Sequence, residues 1–148
     1  MNTIVTLVDY SDVTPKLIEQ TEQFAKSFSS GVILAHVVSK DPMALVTEPA
    51  SQIPSDEERQ ELIAADLKHL SSLAERLRNV GIFVQVKQLV DADIGKALVE
   101  CDHWKADLII VGSHHHGALY NWFVGSVTSD VIKAANCPVL VVPATPAT

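Results

Sequence analysis

The stretch Leu108-Ile-Ile-Val-Gly-Ser113, followed further on by Ser126-Val-Thr-Ser-Asp-Val-Ile-Lys-Ala-Ala135 and then by Cys137-Pro-Val-Leu-Val-Val-Pro143, decides how this chain reads. A short, continuous apolar run bounded by small residues fits a strand buried on both faces. The middle segment has helical character, and the last returns to a β-branched apolar run. The pattern is therefore strand, loop, helix, strand. Gly112 sits where the first strand is expected to end, and Gly125 with Ser126 sits where the helix begins. The opening turn of a helix carries unpaired N–H groups and about half a positive charge, which attract anions. A glycine beside it allows close backbone approach.

Working outward, Ile4 to Val8 is a second short apolar strand, ending at Asp9. Pro15 suits the first turn of a helix that runs to about Phe28, with Thr14 as its expected N-cap. Ser29, Ser30 and Gly31 stop it, and Val32 to Val38 reads as the next strand. Residues 39–54 contain Pro42, Pro49 and Pro54 and show no regular pattern. Ser55 with Glu58 forms an expected capping box. Leu62, Ile63, Leu67, Leu70, Leu73, Ala74 and Leu77 then build an amphipathic stripe. Ile82 to Val90 is a third strand, and Asp91 or Asp93 caps a helix from Ile94 to about Trp104. The alternation of strands and helices predicts one α/β domain of three layers, α/β/α. Its sheet is five-stranded, parallel and doubly wound, with right-handed crossovers. Ligands of such sheets lie beyond the carboxyl ends of the strands where the winding reverses, which brings Asp9 and Gly112 face to face.

The chain has 148 residues, 47% of them apolar and 20% charged, in the range of an ordinary single domain. A net charge of -7 argues against a nucleic-acid partner and against a polybasic membrane surface site. It does not exclude a nucleotide, because a local ring of N–H groups outweighs distant surface charge. The opening residues show no basic segment followed by a long apolar run, and no window reaches the ~18 apolar residues of a membrane span. The expected location is the cytoplasm. Cys101 and Cys137 form no C-x-x-C pair and read as buried thiols.

On these residues the chain resembles the universal stress protein family from end to end. The resemblance is carried by Val8-Asp9, by Leu34-Ala-His-Val-Val38, by Asp107-Leu-Ile-Ile-Val-Gly-Ser113, and above all by Gly125-Ser-Val-Thr128 with Cys137-Pro-Val-Leu-Val-Val142. It implies a Rossmann-like sheet of the adenine nucleotide alpha hydrolase type, with strand order 3-2-1-4-5, and an adenine nucleotide, ATP with Mg²⁺, as ligand. The family's ATP-binding branch carries Gly, two residues, Gly, nine residues, then Gly-Ser or Gly-Thr. Gly112, Gly125 and Ser126 fit that spacing, but the middle glycine is replaced by His115, and the nearest glycine is Gly117. Carried over residue by residue, Asp9 lies near the ribose or the metal-bound phosphates. Val37 offers backbone hydrogen bonds to the adenine edge, Gly112 packs below the ribose and phosphates, and His115 lies beside the phosphates. Gly125 and Ser126 present N–H groups and a hydroxyl to the outer phosphates, and Val127 and Thr128 extend that helix start. Phosphate oxygens hold most of the Mg²⁺ shell.

Other residues read more plainly. His36, in an apolar run, is expected to be a satisfied core histidine. His114, His115 and His116 are consecutive, so their imidazoles point apart and do not make a metal site. Trp104 and Trp122 are expected in packing or an interface, and Tyr120, Trp122 and Phe123 in a loop over the ligand or a partner. The apolar last strand, Val139, Leu140, Val141 and Val142, would be hazardous as a bare edge. Pairing with a second copy removes the hazard, and the resemblance implies the same homodimer; a monomer with a covered edge is the alternative. Neither a hydrolase triad nor a P-loop lysine is present, so the expectation is a binding or regulatory protein and not an enzyme. A nucleotide-independent interaction protein and a slow ATP hydrolase are the alternatives.

Overall fold

The structure is a computed structural model, and it describes residues 1–38, 55–113 and 126–144. The elements are β1 (Thr3–Leu7), α1 (Thr14–Phe28), β2 (Gly31–Val38), α2 (Asp56–Arg78), β3 (Val84–Val90), α3 (Ile94–His103), β4 (Leu108–Ser113), α4 (Ser126–Ala134) and β5 (Val139–Pro143). All neighbouring strands run parallel, in the order β3-β2-β1-β4-β5. The expected class and strand order are therefore what is observed.

Side chains alternate across each strand, so the sheet feeds two cores. Ile4, Val32, Leu34, Val84, Leu108 and Ile110 pack with Leu17 and Ile18 of α1 and with Leu70, Ala74 and Leu77 of α2. Val5, Ile33, Ala35, Ile109 and Val111 pack on the other face with Leu98 and Cys101 of α3 and Val131 of α4. The winding reverses between β1 and β4. Trp104 packs against the second core, as expected of a packing residue. Both cysteines are free, and burial pushes the Cys101 thiol up to about 12 and raises that of Cys137, so neither is a ready nucleophile.

Several local expectations need correction. Thr14 is not the cap of α1: Val13 holds that position in a helical conformation without a side-chain cap bond, and Thr14 N–H closes a turn onto the Ser11 carbonyl. The left-handed residue that ends α1 is Ser29, at φ 51°, while Gly31 already belongs to β2. Asp93, not Asp91, caps α3 by accepting from Lys96 N–H at 2.9 Å; Asp91 pairs with Arg59 instead. The capping box holds: Ser55 Oγ accepts from Glu58 N–H, and the Glu58 carboxylate accepts from Ser55 N–H. The α2 stripe is rotated from the expected one. Leu62 and Leu67 are exposed, because the inward row at helical spacing is Ile63, Asp66, Leu70, Leu73, Ala74 and Leu77.

Candidate functional site

Three segments meet where the winding reverses. The first follows β1: Asp9 is exposed, and its carboxylate accepts from Ser11 N–H at 3.1 Å, a turn that leads through Val13 into α1. The second is the end of β4. Gly112 lies at the carboxyl end of this strand, as expected, one residue before its last. The third is the start of α4. Thr128, 3% exposed, donates its hydroxyl to the Gly112 carbonyl at 2.8 Å. That bond ties the first turn of α4, opened by Ser126 and Val127, to the tip of β4. Asp9, Gly112, Ser126, Val127 and Thr128 are thus drawn to one mouth. His115 and Gly125 lie outside the described residues, as do His114, His116, Tyr120, Trp122 and Phe123.

Gly112 has a steric reason to be glycine. A Cβ there would lie within 3.0 Å of Val13 Cγ1, and 3.6 Å from Val13 Cβ and Cγ2. Its missing side chain is the seat of the β1–α1 turn, which allows the starts of α1 and α4 to converge on the crevice. The two helix starts are electrically alike. Neither has an acidic residue in its first turn, whereas α2 fills its own first turn with Asp56, Glu57 and Glu58. The positive ends of α1 and α4 therefore remain uncompensated by carboxylates within their first turns.

On the other side of β1, Val37 lies near the end of β2, in register with Leu89. In a parallel strand, alternate residues direct both backbone groups to the same neighbour. Gly31 N–H bonds Asn2, and the Ala35 carbonyl accepts from Val8 N–H at 2.8 Å, so odd-numbered residues of β2 face β1. Val37 hence aims its N–H and carbonyl past the end of β1, into the crevice.

Behind Asp9 lies a polar cluster that the sequence did not disclose. His36 Nδ1 is 2.7 Å from Asp66 Oδ1, an ion-pair distance without the alignment of a good hydrogen bond. Two lone pairs would repel at that separation, so the proton resides on Nδ1. The other Asp66 oxygen accepts from Gln88 Nε2 at 2.6 Å, and the same Nε2 donates to the Ile63 carbonyl at 2.8 Å. Tyr10 stacks on His69 at 4.3 Å between centroids, lies over His36 at 4.4 Å, and donates its hydroxyl to the Asp66 carbonyl at 3.2 Å. Burial holds the His36 imidazole below its ordinary value, against the opposing pull of Asp66 and Asp9. Burial first, then the Asp66 charge, raises the Tyr10 phenol. His36 thus faces a carboxylate at close range, without an aligned hydrogen bond from Nδ1. The available signal was an aspartate on the inward row of α2, opposite a histidine in a buried strand.

A five-stranded, parallel, doubly wound sheet with a glycine-seated turn and a helix start at its switch point defines a Rossmann-like α/β protein. The universal stress protein family model matches residues 1–143, and the chain belongs to that family. It is 32% identical over 143 residues to universal stress protein MJ0531 of Methanocaldococcus jannaschii, covering 94% of this chain and 80% of that one. The solved structure of MJ0577 superposes with a TM-score of 0.80 at 26% identity, covering 99% of this chain and 98% of its own. An Archaeoglobus fulgidus universal stress protein solved in complex with dAMP shares the fold, with a TM-score of 0.65 at 24% identity and 95% and 97% coverage.

Proposed function

We propose that the protein is an adenine-nucleotide-binding regulatory homodimer, with ATP as its ligand and Mg²⁺ held mainly by phosphate oxygens. The observation that carries this reading is the Val13–Gly112–Thr128 lock, which brings the Asp9 turn and the start of α4 to one mouth. The phosphates would lie on the N–H groups of Gly125, Ser126 and Val127. The adenine edge would meet the Val37 peptide groups, and Asp9 would stand by the ribose. The family resemblance and the dAMP-bound relative support an adenine nucleotide as the class. Thr128 extends the helix start, and its hydroxyl proton is committed to the Gly112 carbonyl, so it would orient the cradle and leave donation to the helix N–H groups.

Dimerisation through β5 is part of the proposal. Even-numbered β5 residues face β4, as shown by Ala144 N–H bonding the Ser113 carbonyl, so Val139 and Val141 present their backbone groups outward. Lys16 Nζ covers the Pro143 carbonyl at 2.8 Å, which limits the open edge to a short length. We place the protein in the cytoplasm, where its two thiols stay reduced, and assign it a binding role without fast turnover.

The test is a thermal melt with and without Mg-ATP, alongside mass spectrometry of nucleotide released from fresh protein. Ligand at 100 times its dissociation constant stabilises by about 2.7 kcal/mol, roughly 5–10 °C for a chain of this size. Gly125→Val should erase the shift. No shift at millimolar ATP, with no co-purified nucleotide, would favour the nucleotide-independent reading, in which His115 occupies the place of the middle glycine.

A further inference from the structure

We propose that Tyr10, clasped by His36 and His69 over Asp66, is a positioning residue for Asp9, and that protonation of His36 loosens this clasp and weakens nucleotide binding. The inference rests on the nucleotide reading and adds a regulator to the same site.

Tyr10 follows Asp9 directly and holds a φ of 58°, a left-handed conformation that a bulky aromatic residue adopts only when its surroundings enforce it. Here three contacts do so: the stack on His69, the ring of His36, and the hydroxyl bond to the Asp66 carbonyl. They come from α2 and β2, so the conformation of the Asp9 turn depends on elements remote in sequence. The same strand position that holds His36 is followed by Val37, whose peptide groups aim at the crevice. One cluster thereby braces both the ribose side and the base side of the proposed site.

The groups facing His36 are Asp66 and His69 from α2, Gln88 from β3, and Tyr10 and Asp9 from the β1–α1 turn. One Asp66 oxygen lies 2.7 Å from His36 Nδ1, and the other accepts from the Gln88 amide. A second proton makes the ring an imidazolium in a partly buried place beside the Tyr10 ring. Burial opposes that charge more than Asp66 and Asp9 favour it, so the protonated ring gains by turning toward water. Turning removes the support under Tyr10. The sign follows: the clasp is intact well above the ordinary histidine value of 6.5 and is lost as pH falls below it. By reciprocity, nucleotide must draw the His36 titration further down.

The experiment measures Mg-ATP affinity by calorimetry from pH 7.5 to 5.5 for the native chain, for His36→Gln and for Tyr10→Gly. Imidazole titrations by NMR with and without nucleotide accompany it. Glutamine retains an N–H donor toward Asp66 but cannot titrate; glycine relieves the left-handed strain but removes the ring. Protonation of the ligand's own phosphates is common to all three and cancels in their ratios. The native chain should lose about tenfold more affinity over this range than His36→Gln, Tyr10→Gly should bind weakly at every pH, and nucleotide should shift the His36 resonance titration to lower pH. Parallel affinity profiles in the native chain and His36→Gln, or a His36 titration indifferent to nucleotide, would overturn the clasp while leaving nucleotide binding standing. Absence of binding at every pH would overturn both.

Discussion

Replacing Gly112 with alanine tests the geometry on which the crevice depends. The residue sits in β4, where its φ is not in the left-handed region, so alanine meets no backbone strain. On propensity alone the change should stabilise, by roughly 0.5–1 kcal/mol relative to glycine inside a strand. The structure sets a larger effect against it. The added methyl would come within 3.0 Å of Val13 Cγ1, a side chain only 2% exposed and packed in the first core, so it has nowhere to retreat. Overpacking of this kind costs about 1–3 kcal/mol, which outweighs the propensity gain over most of its range and leaves a net loss of up to about 2.5 kcal/mol. Chemical denaturation of Gly112→Ala, Val13→Ala and the double variant closes a cycle. Val13→Ala alone should also destabilise, by opening a cavity, but the double variant should recover at least about 1 kcal/mol relative to the sum. Strictly additive losses would show that Gly112 and Val13 do not share one space, and the steric account of the crevice would fall with them.

Thr6 and Thr21 are fully buried and bonded hydroxyl to hydroxyl at 2.9 Å, with Thr21 also donating to the Leu17 carbonyl. Thr21→Val should cost about 1–3 kcal/mol by orphaning Thr6, and adding Thr6→Val should restore part of that in the same melt. Asp107 accepts from the N–H groups of Asn2 and Thr3 at 2.8 and 3.0 Å, and these bonds hold its carboxyl below the ordinary 3.8. A depressed value means the contribution is present above 3.8 and lost as pH falls through the folded value. The gap in urea midpoint between native protein and Asp107→Asn should therefore close on acidification below about pH 4; a gap that persists refutes the assignment. Val141→Pro removes an outward-facing N–H without breaking a bond to β4, so the fold should survive while sedimentation shows a monomer. A dimer that persists would exclude β5 pairing.

The fold could be read from the sequence because it is written in local terms. Apolar runs such as Leu34-Ala35 and Ile109-Ile110-Val111 cannot alternate with solvent, so they mark strands buried on both faces, and their alternation with helices leaves little choice of topology. The place of Gly112 was legible for the same reason, since it lies at the end of an apolar run. What escaped were pairings between elements. Asp66 looks like an ordinary polar residue of an amphipathic helix until β2 places His36 beneath it. Tyr10 looks like a turn residue until α2 supplies His69. A second cause for Gly112 also escaped: local reasoning assigned the empty space to a phosphate, and its Cβ position is claimed as well by Val13, ninety-nine residues earlier. A glycine in a ligand motif can thus be required by the scaffold before any ligand arrives. Loss of binding in a Gly112 variant would then not by itself show contact with nucleotide. The Gly112–Val13 cycle separates the two, because a variant pair that regains stability without regaining affinity would place Gly112 against the ligand as well as against Val13.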